Sequence, residues 1–202
     1  MNVKLGYTMN FLAGVWYDGR LQFNNYHVGM TLLTLAEQPK EFNTALERLK
    51  YLVYDMFTDT VFIDNEDQEQ IIKLAKAGIK VTTLPDVPID QIVNIALFCK
   101  GNAIMERKMT ILDSSLSSEI GDSVLYSQQP DDALGPFSDN GWWHAADTKH
   151  YVLPDMDESS KIIDLNSTAS WRELGLNFTR SRKDTDKKEE KVLFADFRKN
   201  EK

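Results

Sequence analysis

Carboxylates crowd a short segment that a strand-to-helix turn would place at the edge of a sheet. Asp59, Asp64 and Asp67 surround residues 60–63, an apolar and β-branched run typical of a strand. Carboxylate oxygens bind Mg²⁺, and sites in open α/β sheets favour the carboxyl ends of strands. One hypothesis is therefore a metal-dependent hydrolase acting on a nucleotide or phosphoester. The alternative, which we favour, is that these acids simply favour the positive end of a helix, with no metal and no cofactor.

The same segment resembles a known catalytic motif in its rhythm. Residues 62–85, FIDNEDQEQIIKLAKAGIKVTTLP, are similar to the first strand and helix of haloacid-dehalogenase-type phosphatases. The resemblance implies a nucleophile at Asp64. Those enzymes place a second aspartate two residues later, where this chain has Glu66.

An aromatic and acidic segment near residue 140 is the strongest surface candidate. Adjacent tryptophans on a strand point to opposite faces, so that one side chain packs in the core while the other is displayed. A displayed indole beside an acid and a histidine suits a protein contact or a base-stacking platform. The alternative is that both indoles pack beneath the loop. The binding residues predicted here are Trp142, Trp143, His144, Asp131, Asp132 and Asp139.

The C-terminal end alternates between polar and apolar stretches. Residues 180–191 contain no apolar side chain and are typical of a disordered linker. An apolar island at residues 192–197 follows, with Phe194 and Phe197 as candidate contacts. This layout is typical of a docking peptide, and equally of a last strand of the protein's own sheet.

Charge is unevenly distributed along the chain. The net charge is −8, yet residues 113–164 hold eleven carboxylates and two lysines. An acidic surface repels nucleic-acid phosphate and favours basic partners. We therefore expect a protein partner with a basic surface and no direct nucleic-acid binding through the body. The simpler interpretation is that this charge keeps the protein soluble.

Other features narrow the class of protein. The single cysteine, Cys99, excludes an intramolecular disulfide and lies in a helical apolar stripe, which predicts a core residue. The absence of a secretory leader pattern and of a long apolar run predicts no membrane association and a cytoplasmic location. Compact, acidic and without a catalytic signature, the chain resembles the small accessory proteins of tailed bacteriophages. That resemblance implies action in the host cytoplasm.

Hydrophobic periodicity predicts an α+β fold for residues 1–165. Two β runs around Asp18-Gly19 predict an N-terminal hairpin. A helix over 40–58, a βαβ unit over 60–84 and a helix from Pro88 follow, with two or three helices on one face of a mixed sheet. Short strands at 109–112 and 123–126, joined by a serine-rich stretch, precede an acidic tryptophan-bearing loop or hairpin over 130–150. Residues 166–202 are predicted to form a largely extended or flexible tail.

The leading hypothesis is a non-enzymatic acidic interaction protein. Taken with the resemblance to bacteriophage proteins, it implies a phage-encoded modulator of a basic protein that handles nucleic acid. The first alternative is the metal-dependent hydrolase. The second is a single-strand nucleic-acid binder that stacks bases on Trp142 or Trp143.

Overall fold

The protein begins with a long antiparallel hairpin. The structure is a computed structural model, and it describes residues 3–151 and 169–178. Strand β1 (Lys4–Tyr17) and strand β2 (Arg20–Thr34) pair along their whole length around a two-residue turn. Asp18 and Gly19 in that turn have φ values of 49° and 70°, the positive values that a type I′ turn requires. The predicted hairpin is confirmed.

A core helix follows the hairpin. Helix α1 (Pro39–Tyr51) continues directly into a π-helical turn (Leu52–Phe57). The predicted apolar stripe of this helix is buried against the sheet, since Ala45, Leu49 and Phe57 have no exposed surface.

The predicted βαβ unit is also confirmed. Strands β3 (Val61–Asp64) and β4 (Val81–Leu84) pair in parallel and are connected through helix α2 (Gln68–Lys76). Asp67 caps α2 by accepting a hydrogen bond from the backbone N–H of Gln70 at 3.3 Å.

The second half of the domain builds the other edge of the sheet. Helix α3 (Asp90–Ile104) is followed by β5 (Met109–Ser118) and a short β6 (Tyr126–Gln128). The expectation that the serine-rich stretch is a connection is wrong, because its residues pair in register with β2. Leu116 on this strand is fully buried, and the serines alternate between the two faces of the sheet.

The six strands of the described residues form one mixed sheet in the order β4-β3-β1-β2-β5-β6. The large core lies on the face that α1 and α3 cover. The alternate residues of β3 and β4 contact α2 through a smaller cluster, so α2 lies on the opposite face rather than beside the other helices. On this second face Leu12, Leu21 and Phe23 of the hairpin are exposed.

Two 3₁₀ turns, Gly135–Ser138 and Trp142–His144, replace the hairpin that we considered near residue 140. Further along, the described residues 169–178 pack on α1, where Trp171 is buried against Tyr51. No helix of the described residues is long and apolar enough to cross a bilayer. Phe194, Phe197 and the rest of the apolar island lie outside the described residues.

Candidate functional site

Most features of a binding site lie at one end of the sheet, where several strands finish. Strand β1 is parallel to β3, β3 to β4, and β5 runs in the same direction because both β1 and β5 are antiparallel to β2. The carboxyl ends of these four strands therefore lie at the same end of the sheet, together with the N-termini of α2 and α3. Ligand sites of α/β sheets favour this position because connecting loops surround a crevice there.

The first depression at this end of the sheet is an acidic cleft of about 450 Å³. It lies between the β1–β2 turn, the β3–α2 loop and the β4–α3 loop. The described residues that line it include four carboxylates and two aromatic side chains but no lysine or arginine; they are Trp16, Tyr17, Asp18, Gly19, Asp64, Glu66, Asp67, Val87 and Pro88. We call this set the acidic cleft.

Hydrogen bonds fix two of the four carboxylates. Asp64 Oδ1 accepts the backbone N–H of Glu66 at 2.9 Å. Asp67 Oδ2 accepts the indole N–H of Trp16 at 3.1 Å, while its other oxygen caps α2. Asp18 and Glu66 are exposed, and their carboxylates accept no hydrogen bond from the described residues. The cleft therefore combines two held carboxylates with two that are free to contact a ligand.

A second pocket of about 260 Å³ lies on the other side of Tyr17 and Pro88, which line both depressions. Its walls are mostly apolar, with polar groups from β2 and α3, and consist of Val15, Tyr17, Gln22, Asn24, Pro88, Ile89, Asp90, Ile120, Gly121 and Tyr126. We call this set the Asp90 pocket.

Asp90 is the charged group of this pocket and is only 8% exposed. Its Oδ2 accepts the hydroxyl of Ser118 at 2.6 Å. Burial raises the pKa of the Asp90 carboxyl, and the hydrogen bond from Ser118 opposes that rise. Asp90 is also the first residue of α3, where the helix dipole favours a negative charge.

Polar side chains continue inward from Asp90 beneath α3. The Tyr26 hydroxyl is fully buried and accepts or donates no hydrogen bond among the described residues. Burial raises the pKa of the Tyr26 phenol, the Asn24 side chain opposes this, and the charge of Asp90 adds to the rise. Asn94 Oδ1 and Ser114 Oγ are likewise buried without a hydrogen-bond partner in the described part of the chain.

The predicted tryptophan site is not displayed. Trp142 and Trp143 are 5% and 6% exposed. The indole N–H of Trp142 donates to Thr83 O at 2.8 Å, and that of Trp143 donates to Phe137 O at 3.0 Å. The idea of a displayed indole is therefore wrong, because each N–H finds its acceptor inside the fold.

The polar residues predicted with the tryptophans remain at the surface. His144 is exposed, and its Nε2 lies 2.7 Å from Phe137 O. Asp131, Asp132 and Asp139 are exposed, and Asp132 accepts the backbone N–H of Gln129 at 2.7 Å. None of these residues lines the acidic cleft or the Asp90 pocket.

The three predicted metal ligands lie at opposite ends of strand β3. Asp64 and Asp67 share the acidic cleft, but Asp59 precedes β3 and lies at its opposite end. A strand of this length separates them by roughly 15 Å, so the three carboxylates do not meet. Within residues 3–151 and 169–178, no three His, Cys, Asp or Glu side chains are grouped so that they could hold a metal ion.

Asp90 and Asn24 were missed in the sequence, although a signal existed for one of them. Asn24 is in phase with Tyr26, Val28 and Met30 on the buried face of β2, so it is a polar residue at a core position. Asp90 gave no such signal, because an acid in the first turn of a helix is ordinary.

Comparisons with known proteins add little. No family model matches the chain, and no curated protein matches it. An uncharacterised protein from Wolinella succinogenes aligns with 65% of this chain and 99% of its own, at 10% identity and a TM-score of 0.46. A 6-pyruvoyltetrahydropterin synthase from Plasmodium vivax aligns with 63% of this chain and 97% of its own, at 8% identity and a TM-score of 0.41. At these scores neither likeness bears on function, and the resemblance to bacteriophage accessory proteins stays a prediction.

Proposed function

We propose that this protein is a non-enzymatic interaction protein that binds a partner with a basic surface through the acidic cleft. The observation that supports this most directly is the lining of the cleft, which brings Asp18, Asp64, Glu66 and Asp67 together without a lysine or arginine among its described residues. Like charges that share a cleft focus the field outward and attract a group of opposite sign.

The aromatic residues of the cleft add to this attraction. Trp16 is held in place by its hydrogen bond to Asp67, and Tyr17 is 52% exposed at the mouth. A lysine or arginine side chain gains cation–π energy on the face of such rings, about 0.5–1 kcal/mol at an exposed site. The cleft is therefore suited to basic side chains in particular, rather than to any neutral surface.

The class of partner follows from the charge. Basic surfaces are typical of proteins that handle nucleic acid, whereas nucleic acid itself is repelled by clustered carboxylates. The proposed surface differs from the one predicted from the sequence, since Asp131, Asp132 and Asp139 line neither depression.

Charge reversal within the cleft tests the proposal. The variant Asp18→Asn with Glu66→Lys changes the two carboxylates that make no hydrogen bond, and asparagine tolerates the positive φ of residue 18. We expect a labelled arginine-rich peptide to bind about tenfold more weakly, because losing two ion-pair contacts near a surface costs about 1–2 kcal/mol. Fluorescence anisotropy at low and high salt measures this effect.

A matched control is available elsewhere on the surface. Asp59→Asn with Glu37→Lys makes the same change in net charge, also at a positive-φ aspartate and an exposed glutamate, but outside the cleft. This variant should bind the peptide within about twofold of the wild type. Equal weakening in both variants would show that only net charge matters and would refute a cleft-specific interaction.

A further inference from the structure

The Asp90 pocket contains a buried carboxylate that forms no ion pair with the described residues. Asp90 Oδ2 accepts the Ser118 hydroxyl, and Oδ1 accepts no hydrogen bond from the residues that the structure describes. The described lining residues of the pocket include no lysine, arginine or histidine. Buried carboxylates are normally paired with a positive group, because desolvation penalises the charge unless a partner offsets it.

Gly121 and Ser118 lie in close contact with the Asp90 carboxylate. A Cβ at Gly121 would lie 2.3 Å from Asp90 Oδ2, so any larger residue there would displace the carboxylate. Gly121 N–H donates to Ser118 Oγ at 3.1 Å, and Ser118 in turn donates to Asp90. Asp90 therefore lines the pocket with its Oδ2 held by the Ser118 hydroxyl.

The size and lining of the Asp90 pocket indicate which kind of cation would pair with Asp90. Apolar side chains of Ile89 and Ile120 and the rings of Tyr17 and Tyr126 surround about 260 Å³. An aliphatic stem packs well on such walls, and a flat cation stacks on such rings. Arginine combines both features, and its guanidinium is more weakly hydrated than an ammonium, so it enters a buried site at lower cost.

The position of the pocket indicates where that arginine comes from. The Asp90 pocket and the acidic cleft share Tyr17 and Pro88, so neighbouring residues of one bound chain reach both. A small free ligand would have no need of the adjoining carboxylates. We infer that the Asp90 pocket is a specificity subsite for an arginine side chain of the partner, an inference that rests on the proposed function.

Two labelled peptides that differ only in carrying arginine or lysine at each basic position test this inference. The acidic cleft attracts both peptides by charge, whereas the Asp90 pocket favours the planar guanidinium. We expect the wild type to bind the arginine peptide about tenfold more tightly. Asp90→Asn, which is isosteric, should abolish that preference while leaving lysine-peptide binding within about twofold.

Folding of the variant is checked separately. Asp90→Asn keeps an oxygen that can accept the Ser118 hydroxyl, and it loses both the desolvation cost of the buried charge and its favourable interaction with the α3 dipole. Its thermal midpoint should therefore stay within about 4 °C of the wild type, whereas a larger drop would show that Asp90 is needed for the fold itself and would count against the subsite. In the wild type, methylguanidinium but not methylammonium should shift the amide resonances of Gly121 and Ile120. This measurement needs no variant.

The outcomes separate the two proposals. Equal binding of both peptides, or a preference that survives Asp90→Asn, overturns the arginine subsite and leaves the acidic cleft standing. Binding of neither peptide, or no effect of Asp18→Asn with Glu66→Lys, overturns the proposed function and the subsite with it. A methylguanidinium response with equal peptide binding identifies a small-molecule site and also overturns the arginine inference.

Discussion

At the scale of single residues, the buried ionisable side chains of Lys100, Asp90 and His150 differ in the hydrogen bonds that their polar atoms make. Lys100 is fully buried, and its Nζ donates to Trp142 O at 2.9 Å and Ala145 O at 2.8 Å and lies 3.4 Å from Asp147 Oδ1. Burial lowers the pKa of Lys100 to about 8, against the opposing effect of Asp147. Because its partners belong to the turn after Trp142, this lysine fixes that turn on α3. Asp90 differs because it lines a pocket and accepts a hydrogen bond from the Ser118 hydroxyl through Oδ2, with no ion pair among the described residues.

His150 is the buried group that should respond to acid. It is buried, its Nε2 has no hydrogen-bond partner within residues 3–151 and 169–178, and burial lowers its pKa to about 4 from an ordinary value of 6.5. Between those two values the unfolded chain binds a proton that the folded chain does not. The free energy of unfolding therefore falls as the pH falls through this window, by as much as about 3 kcal/mol.

Replacing His150 by glutamine should remove this part of the acid sensitivity. From about pH 7 to about pH 4.5 we expect the wild type to lose about 2–3 kcal/mol more unfolding free energy than His150→Gln. Urea denaturation at both pH values measures the difference, and His27→Gln at an exposed position is the control. Parallel pH profiles for wild type and His150→Gln would contradict the assignment.

At the scale of elements, Arg48 joins α1 to the described segment 169–178. Its Nε donates to Leu176 O at 2.8 Å, and its Nη1 donates to Ile104 O at 2.9 Å and to Glu106 Oε1 at 2.6 Å. The guanidinium carbon lies 4.6 Å and 4.0 Å from the ring centres of Trp171 and Phe178. One side chain therefore connects two elements that are distant in the sequence.

Arg48→Met should release this connection. Methionine fills part of the volume but leaves two carbonyl groups without their donor, so we expect a loss of about 2–4 kcal/mol in unfolding free energy. Urea denaturation measures the loss, with Lys50→Met on the same helix as control. Lys50 pairs with Glu47 at the surface, and its loss should cost under about 0.5 kcal/mol. Similar costs for both variants would show that Arg48 does not join the elements as we describe.

Local sequence signals predicted the elements whose geometry is set locally. The Asp18-Gly19 turn, the stripe of α1 and the βαβ unit follow from turn chemistry and periodicity, and all three are observed. The serine-rich half of β5 was missed, because its strand conformation depends on pairing with β2. Serine has no local preference for strands strong enough to reveal this pairing.

The site was predictable only in part, for the same reason. Asp64 and Asp67 were found because they end a parallel strand, and they do line the acidic cleft. The burial of Trp142 depends on an acceptor in β4, at Thr83, which no local pattern reveals. Asp90 enters the site because the β5–β6 turn folds over it at Gly121, again a contact between distant segments.

At the scale of the whole molecule, the sheet separates two cores of unequal size. Most buried residues belong to the core under α1 and α3, whereas α2 is held by a small cluster of Val61, Ile63, Ile71, Leu74 and Val81, with Trp16 and Ile79 packed against it. Stability is therefore expected to be unevenly distributed. We predict that α2 opens in a partial unfolding reaction that leaves the large core intact.

Hydrogen exchange in two matched variants tests this prediction. Ile71→Val and Ile104→Val each remove one methylene from a fully buried side chain, at a cost of about 1 kcal/mol. Ile104 lies in the large core and stays packed when α2 alone opens. Ile104→Val should thus lower the opening free energy of α3 amides while that of α2 amides stays unchanged. Ile71→Val should lower both, since Ile71 is exposed in either opening. If Ile104→Val lowered the opening free energy of α2 and α3 equally, α2 would open only when the whole molecule unfolds. The N-terminus of α2 helps to form the acidic cleft, so the cleft would then be as stable as the whole fold.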